Sequence, residues 1–414
     1  MQKPSSIGAV SVINSPSERR MAFLLAGLAM IGPFSIDTYL PAFPAIAADL
    51  NASVLQVQQS LTAYLVLFAA MTLWHGAISD ALGRRRTILA GLALYAIASL
   101  FCAFATRIEM LWLGRAIQGI AGGVGFVVGR AVIRDLYHGP QAQRLMANVT
   151  VIFAIAPAIA PMIGGQLQYF FNWHGVFFFL ALLACVLFFG SWLWLPETLP
   201  AEKRQPFKPQ PLWDGYKRIF SSTQFLLLTL ATTANFAGMF IYILSSPVFI
   251  IQHLRLSPQA FGWMFVPMVA GMMLGSMINA RVAGKHSQRR TVALAYAIMV
   301  SAAMSNVVMN ALLPPQLPWA IAPLFVYVLG TALAMPCLQM LSMDLFPDRL
   351  GMASSCQGFI QSSFNALLAG IIAPLLWDST LTLALGMFGC MATGLLTFAC
   401  YLLARSRQVH ARSV

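Results

Sequence analysis

The sequence predicts an all-α polytopic membrane protein with twelve spans in two six-helix pseudo-repeat bundles. Three observations carry that prediction. Of 414 residues, 59% are hydrophobic and only 9% charged, where an ordinary soluble domain carries about 25% charge. Apolar runs long enough to cross a bilayer core, roughly 20 residues each, recur twelve times with short polar joints between them. The longest joint divides those runs six and six.

In chain order, residues 1–20 are polar, rich in Ser and Pro, and read as an N-terminal tail. Arg19-Arg20 before an apolar run faintly resembles a twin-arginine export signal; an uncleaved first span with a positive flank accounts for the same residues, and no small-residue cleavage site follows. The first bundle occupies 21–195, with spans expected near 21–43, 55–79, 87–106, 109–134, 143–167 and 173–195. A linker over 196–221 holds five Pro and five Lys or Arg. The second bundle occupies 222–404, with spans near 222–248, 259–281, 291–313, 318–343, 351–376 and 380–404, and a tail follows over 405–414. A faint internal repeat is visible: an offset of about 200 residues aligns the joint after span two (Gly76 to Arg86) with that after span eight (Gly275 to Arg290), as expected of two six-helix halves related by a parallel repeat.

The net charge of +13 belongs to topology rather than to nucleic acid. Lys and Arg accumulate in cytoplasmic loops. With the N-terminus inside, 21 of the 25 basic residues fall on the cytoplasmic side and only Arg107 and Arg255 outside, so both termini are expected in the cytoplasm. The remaining two, Arg115 and Arg130, lie within span four. The six cysteines all fall in apolar runs without ligand spacing, which reads as core packing with no disulfide framework and no metal site.

Chemistry concentrates where charge enters the apolar runs. Asp37, in IGPFSIDTYLPAFP, is costly there, since a charge at the bilayer centre costs about 2.5–3.5 kcal/mol on insertion scales. Arg115 lies about as far inside span four as Asp37 lies from the end of span one, so the two are expected to pair. Burial and a neighbouring cation push a carboxyl's proton affinity in opposite directions, the balance that a site loading and releasing protons needs; a static ion pair is the plainer alternative. Arg130, near the basic end of its span, reads first as a side chain that snorkels to the interface.

After span two comes GAISDALGRRR, with Asp80, Gly83 and Arg84. An acid at a helix C-terminus is disfavoured by the dipole, so Asp80 is expected to find a cation; Gly83 suits a left-handed cap. This stretch resembles the signature loop of the major facilitator superfamily, G-x-x-x-D-x-x-G-R-(R/K). Span four, with Arg115, Gln118 and Gly119, resembles the R-x-x-Q-G element of its proton-coupled members. Span five, with Pro157, Pro161, Gly164 and Gly165, resembles the antiporter motif G-P-x-x-G-G with Ala160 in place of the first glycine. The stretches SIDTYLPAFPAIAADL and PETLPAEKRQPF resemble the bicyclomycin and chloramphenicol resistance (Bcr/CflA) branch.

The resemblance implies a proton-coupled exporter of drug-like small molecules in the bacterial inner membrane, using the proton gradient and no cofactor. It also implies that Asp135 pairs with Arg84 beside Asp80 in a cytoplasmic latch. Some related pumps carry a second acid earlier in span one, where this chain has Ala29, Met30 and Ile31. Polar and aromatic residues expected to face a central pocket are Tyr39, Tyr64, Gln118, Asn148, Asn235, Phe236, Phe240, Gln339, Gln357, Gln361 and Asn365. A metabolite exporter or proton symporter on the same scaffold is the nearest alternative. An enzyme is disfavoured because His75 and His174 stand alone, a primary pump because no phosphate-binding G-x-x-x-x-G-K-(S/T) loop occurs, and a channel because rings of like charge are absent. The expected partners are protons, the small-molecule cargo and the bilayer, with no nucleic acid, and the expected state is a monomer.

Overall fold

A computed structural model describes residues 16–137, 139–204, 209–283 and 285–413. Among these residues every regular element is helical. The first half contains α1 (Pro16–Asp37), a 3-10 turn at Leu40–Ala42, α2 (Phe43–Asp49), α3 (Val54–Leu82), α4 (Arg84–Ala103), α5 (Ile108–Gly122), α6 (Val124–Leu136), α7 (Gly139–Phe171) and α8 (His174–Trp194). The second contains α9 (Pro209–Phe220), α10 (Thr223–Leu244), α11 (Gly262–Val282), α12 (Gln288–Leu312), α13 (Ala322–Met343), α14 (Leu350–Leu367), α15 (Ala373–Leu375) and α16 (Thr380–Ser413).

Eleven segments among the described residues are long and apolar enough to cross a bilayer. The remaining expected span, 143–167, falls within α7, whose 33 residues reach about 50 Å at 1.5 Å each; several of its side chains lie outside the described residues, Asn148 among them. The boundaries differ from expectation in three places. The apolar segment of span one continues to Asp49 rather than stopping at 43, the joint at 196–221 contains α9, and α16 continues through the expected tail to Ser413.

Local chemistry sets the helix ends. Ser53 and Gln56 form a reciprocal capping box at the start of α3, while Ser222 and Ser287 cap α10 and α12. Gly83, with φ of +100°, ends α3 and turns directly into α4, a backbone that a Cβ would strain. Span four is broken at Gly123 into α5 and α6, and His75 Nε2 donates to the Ile120 carbonyl beside that break, at 2.9 Å. Span eleven is interrupted by a π-helical turn at Leu368–Ile372. There Pro374 lacks the N–H that the Gly370 carbonyl would otherwise bind.

Within the first half α3 packs on α5, α4 on α8 and α1 on α7; within the second, α10 packs on α16, and α11 and α12 on α13. The halves meet along α3–α14 and α7–α11. At the end of the bundle away from the basic loops they are tied together. Gln58 and Gln59 of α3 donate to the Ala369 and Gly370 carbonyls at 3.1 and 3.0 Å.

Gly164 of α7 lies against the Thr38 backbone, and a Cβ there would overlap the Thr38 carbonyl oxygen. Gly164→Ala is therefore expected to lower stability by about 1–3 kcal/mol, the usual cost of overpacking, and to reduce transport by moving span one next to Asp37. Thermal unfolding in detergent checks this against Gly76→Ala, where an added Cβ meets nothing within 4 Å and no shift is expected.

Candidate functional site

Asp37 is the last residue of α1, shortly before the chain tightens into the 3-10 turn that contains Pro41. Its side chain is almost fully buried and makes no hydrogen bond or ion pair with the described residues. Arg115, with no exposed surface, lies nearby: both charges are within electrostatic reach of Tyr64. The expected direct pair is not formed. The Arg115 guanidinium donates instead to Gln118 Oε1 at 2.7 Å and to the Ser35 carbonyl at 3.0 Å, and sits over the Tyr39 and Tyr64 rings at 4.8 and 4.5 Å. Two ring faces can offset a desolvated cation by about 2 kcal/mol or more, which removes the need for a carboxylate in this state. Asp37 lies twelve positions before the end of its span at Asp49, rather than the six expected.

The surrounding network is polar and incompletely satisfied. Gln118 passes the interaction on to Ser99 at 2.7 Å, Tyr39 bonds Ser60 at 2.7 Å, and Ser35 bonds Tyr95. Arg115 Nε and the Tyr64 hydroxyl are buried without a hydrogen-bond partner among the described residues. Buried polar groups are costly when unpaired, and both of these lie in the cluster around the Arg115 guanidinium.

At the basic end the structure brings Asp80, Arg84 and Asp135 together. Arg84 contacts Asp80 at 2.5 Å and Asp135 at 3.1 Å, and also donates to Ser79. Glu197, just after α8, adds a partner that the sequence did not single out. Its carboxylate accepts from the Arg84 backbone N–H at 2.8 Å, capping the first turn of α4, and it lies 3.8 Å from Arg204. A Cβ on Gly83 would collide with this same carboxylate. The only advance signal was the position of PET next to a charged linker. Thr198 completes the knot by donating to Asp135 at 3.0 Å.

A cavity of about 790 Å³ runs from this end toward the middle of the bundle, between α3 and α6 on one side and α13 and α14 on the other. Ligand sites span roughly 300–1,000 Å³. Of the expected pocket residues, Gln339, Gln357 and Gln361 line it. Tyr39, Tyr64 and Gln118 instead serve the Arg115 network. Asn235 is buried and donates to Tyr296 at 3.0 Å; Phe236 and Phe240 stack on each other; Asn365 Oδ1 is buried without a partner among the described residues. Pro157 and Pro161 lie inside α7, and Gly164 and Gly165 bring it against Thr38 and Pro258. Tyr216 of α9 borders the cavity and donates to the Leu73 carbonyl of α3 at 2.8 Å. Burial, with Cys356 beside it, pushes the Tyr216 hydroxyl up to about 12, so it remains a donor. Among the described residues no cluster of His, Cys, Asp or Glu suits a metal.

Comparison with known proteins agrees with this geometry. Residues 25–374 match the family model of the Major Facilitator Superfamily. An uncharacterized MFS-type transporter YdgK of Bacillus subtilis is 33% identical over 91% of this chain and 94% of its own length. A bicyclomycin resistance protein homolog of Haemophilus influenzae is 27% identical over 90% and 93%. The solved structure of the human organic anion transporter MFSD10 superposes with a TM-score of 0.71, covering 94% of this chain and 100% of that one at 20% identity, a likeness of fold alone. The chain belongs to the Major Facilitator Superfamily and is a multi-pass membrane transporter, not an enzyme.

Proposed function

We propose that the protein exports small amphipathic or apolar drugs across the bacterial inner membrane in exchange for protons, by alternating access. One observation carries the reading: the halves are tied at one end by Gln58 and Gln59 while a cavity of about 790 Å³ separates them at the other. That asymmetry is what one of two alternating states requires. The positive-inside count of 21 against 2 supports a cytoplasmic cavity mouth and cytoplasmic termini. The bicyclomycin resistance relative, together with apolar and methionine-bearing cavity walls that can repack, supports drugs as cargo.

Asp37 is the proton carrier in this reading. An ionised carboxyl buried without a partner is costly, and Arg115 supplies the charge that can compensate it after a short rearrangement. The latch around Arg84 is made in one conformation and strained in the other. No cofactor is needed: each pH unit supplies about 1.4 kcal/mol per proton. The monomer is the working unit, since both halves of the cavity come from one chain.

The test is transport by the purified protein in liposomes. Under an imposed pH gradient, uphill accumulation of a fluorescent drug is expected to follow the gradient's sign and to collapse when a proton ionophore is added. Flux indifferent to the gradient would overturn antiport.

A further inference from the structure

Arg130 takes no part in the proton reading, yet it is not directed to the bilayer as a snorkelling arginine would be. It lines the cavity wall on α6, with its guanidinium over the Phe126 ring at 4.0 Å. Among the described residues it has no carboxylate partner, and neither has Arg134 one turn further on. The other charges on the cavity lining are Asp80 and Arg84, which pair with each other. The charge left for a ligand is therefore positive.

The facing wall comes from α14 and is uncharged. It presents Ser354, Ser355, Gln357 and Gln361. Gln357 is only 4% exposed, and its Nε2 is buried with no hydrogen-bond partner among the described residues. Buried donors are almost always satisfied, so an unpartnered one on a cavity wall marks where an acceptor belongs.

A permanently charged, planar donor on one wall and an unfilled amide donor on the other select the same chemistry, an acceptor-rich anion. A guanidinium binds carboxylate or sulfonate through parallel hydrogen bonds, while Phe68, Phe126 and Met343 offer apolar surface to the rest of the molecule. We propose that Arg130 and Gln357 form a subsite for the anionic head of a cargo molecule, so that amphipathic carboxylates and sulfonates belong to the transported class. This rests on the export reading above and narrows it. The phosphate of an anionic lipid shares the chemistry, and the experiment separates the two sources.

Two xanthene dyes of opposite charge serve as probes, carboxyfluorescein and rhodamine 6G. Binding to the purified full chain is read by fluorescence anisotropy in detergent, and transport in zwitterionic liposomes under a pH gradient. Arg130→Ala is expected to weaken carboxyfluorescein binding and raise its half-saturating concentration by about tenfold, the scale of one charge-assisted contact. Rhodamine 6G is expected to change by less than about twofold on the same scale. Arg130→Lys should fall between wild type and Arg130→Ala, and Gln357→Leu should weaken the anion alone. Retained rhodamine 6G binding shows that the variants are folded.

Equal loss of both dyes, an unchanged anion affinity, or no carboxyfluorescein binding to wild type would each overturn the subsite. So would an Arg130-dependent site that takes phosphatidylglycerol but not the dye. If wild type fails to move rhodamine 6G along the gradient, the antiport reading falls, while the binding arm still decides the anion subsite.

Discussion

Asp37→Asn is expected to abolish gradient-driven export while leaving drug binding intact. The amide is isosteric with the neutral acid but cannot release a proton, so one half of the exchange cycle has nothing to carry. For a single coupled proton the pH gradient supplies about 1.4 kcal/mol per unit, so the variant should lose roughly tenfold of drug accumulation for each pH unit imposed. Downhill drug flux and counterflow of labelled for unlabelled drug should persist. The measurement is paired accumulation and counterflow in liposomes. An Asp37→Asn protein that still concentrates drug against its gradient would show that the proton travels by another group. The expectation is sharp because no other Asp or Glu is as deeply buried: Asp37 is the only acidic residue in the buried set of the described chain.

Arg115→Ala should be the most damaging single change. It removes the donor from Gln118 Oε1 and from the Ser35 carbonyl, both made at hydrogen-bonding distance within fully buried surroundings. Each acceptor left bare costs about 1–3 kcal/mol, and the loss of two aromatic–cation contacts adds to that. The removed charge would also leave Asp37 without a nearby cation. A marked fall in thermal stability and no transport are expected. Arg115→Lys separates the two effects: it keeps the charge, and much of the stability, but a single ammonium cannot reach both acceptors in the planar fork of a guanidinium. It should fold and still transport poorly. Lys at wild-type activity would reduce Arg115 to a bare charge.

Much of the candidate site was legible in the chain because charge in an apolar run is conspicuous. Asp37, Arg115 and Arg130 needed only composition and position. Asp80 and Arg84 lie four residues apart on either side of the tight turn at Gly83, so nearness in sequence makes their contact local. Glu197 was not legible as a partner of Arg84, since 113 residues separate them and only the packing of α8 beside α4 brings them together. The expected Asp37–Arg115 pair named two residues of one neighbourhood, since Arg115 reaches the Ser35 carbonyl two residues before Asp37. It missed the direction of the guanidinium, because helix rotation and the break at Gly123 are decided by neighbours. Four of the residues expected at a central pocket, Tyr39, Tyr64, Gln118 and Asn235, belong instead to buried networks in one half or the other, where side-chain chemistry is the same but the facing element differs.

Hydropathy, charge bias and spacing along the sequence thus determined that this is a polytopic helical membrane protein, where its spans run and which charges lie inside them. These properties depend on the cost of placing each residue in a bilayer, which is additive along the chain. Only the tertiary structure decided which end of the bundle is tied, that Arg115 leans on Ser35, Gln118 and two rings, and that Arg130 and Gln357 line one cavity. Those are relations between helices far apart in sequence, and they are set by how close-packed surfaces fit rather than by what any one segment prefers.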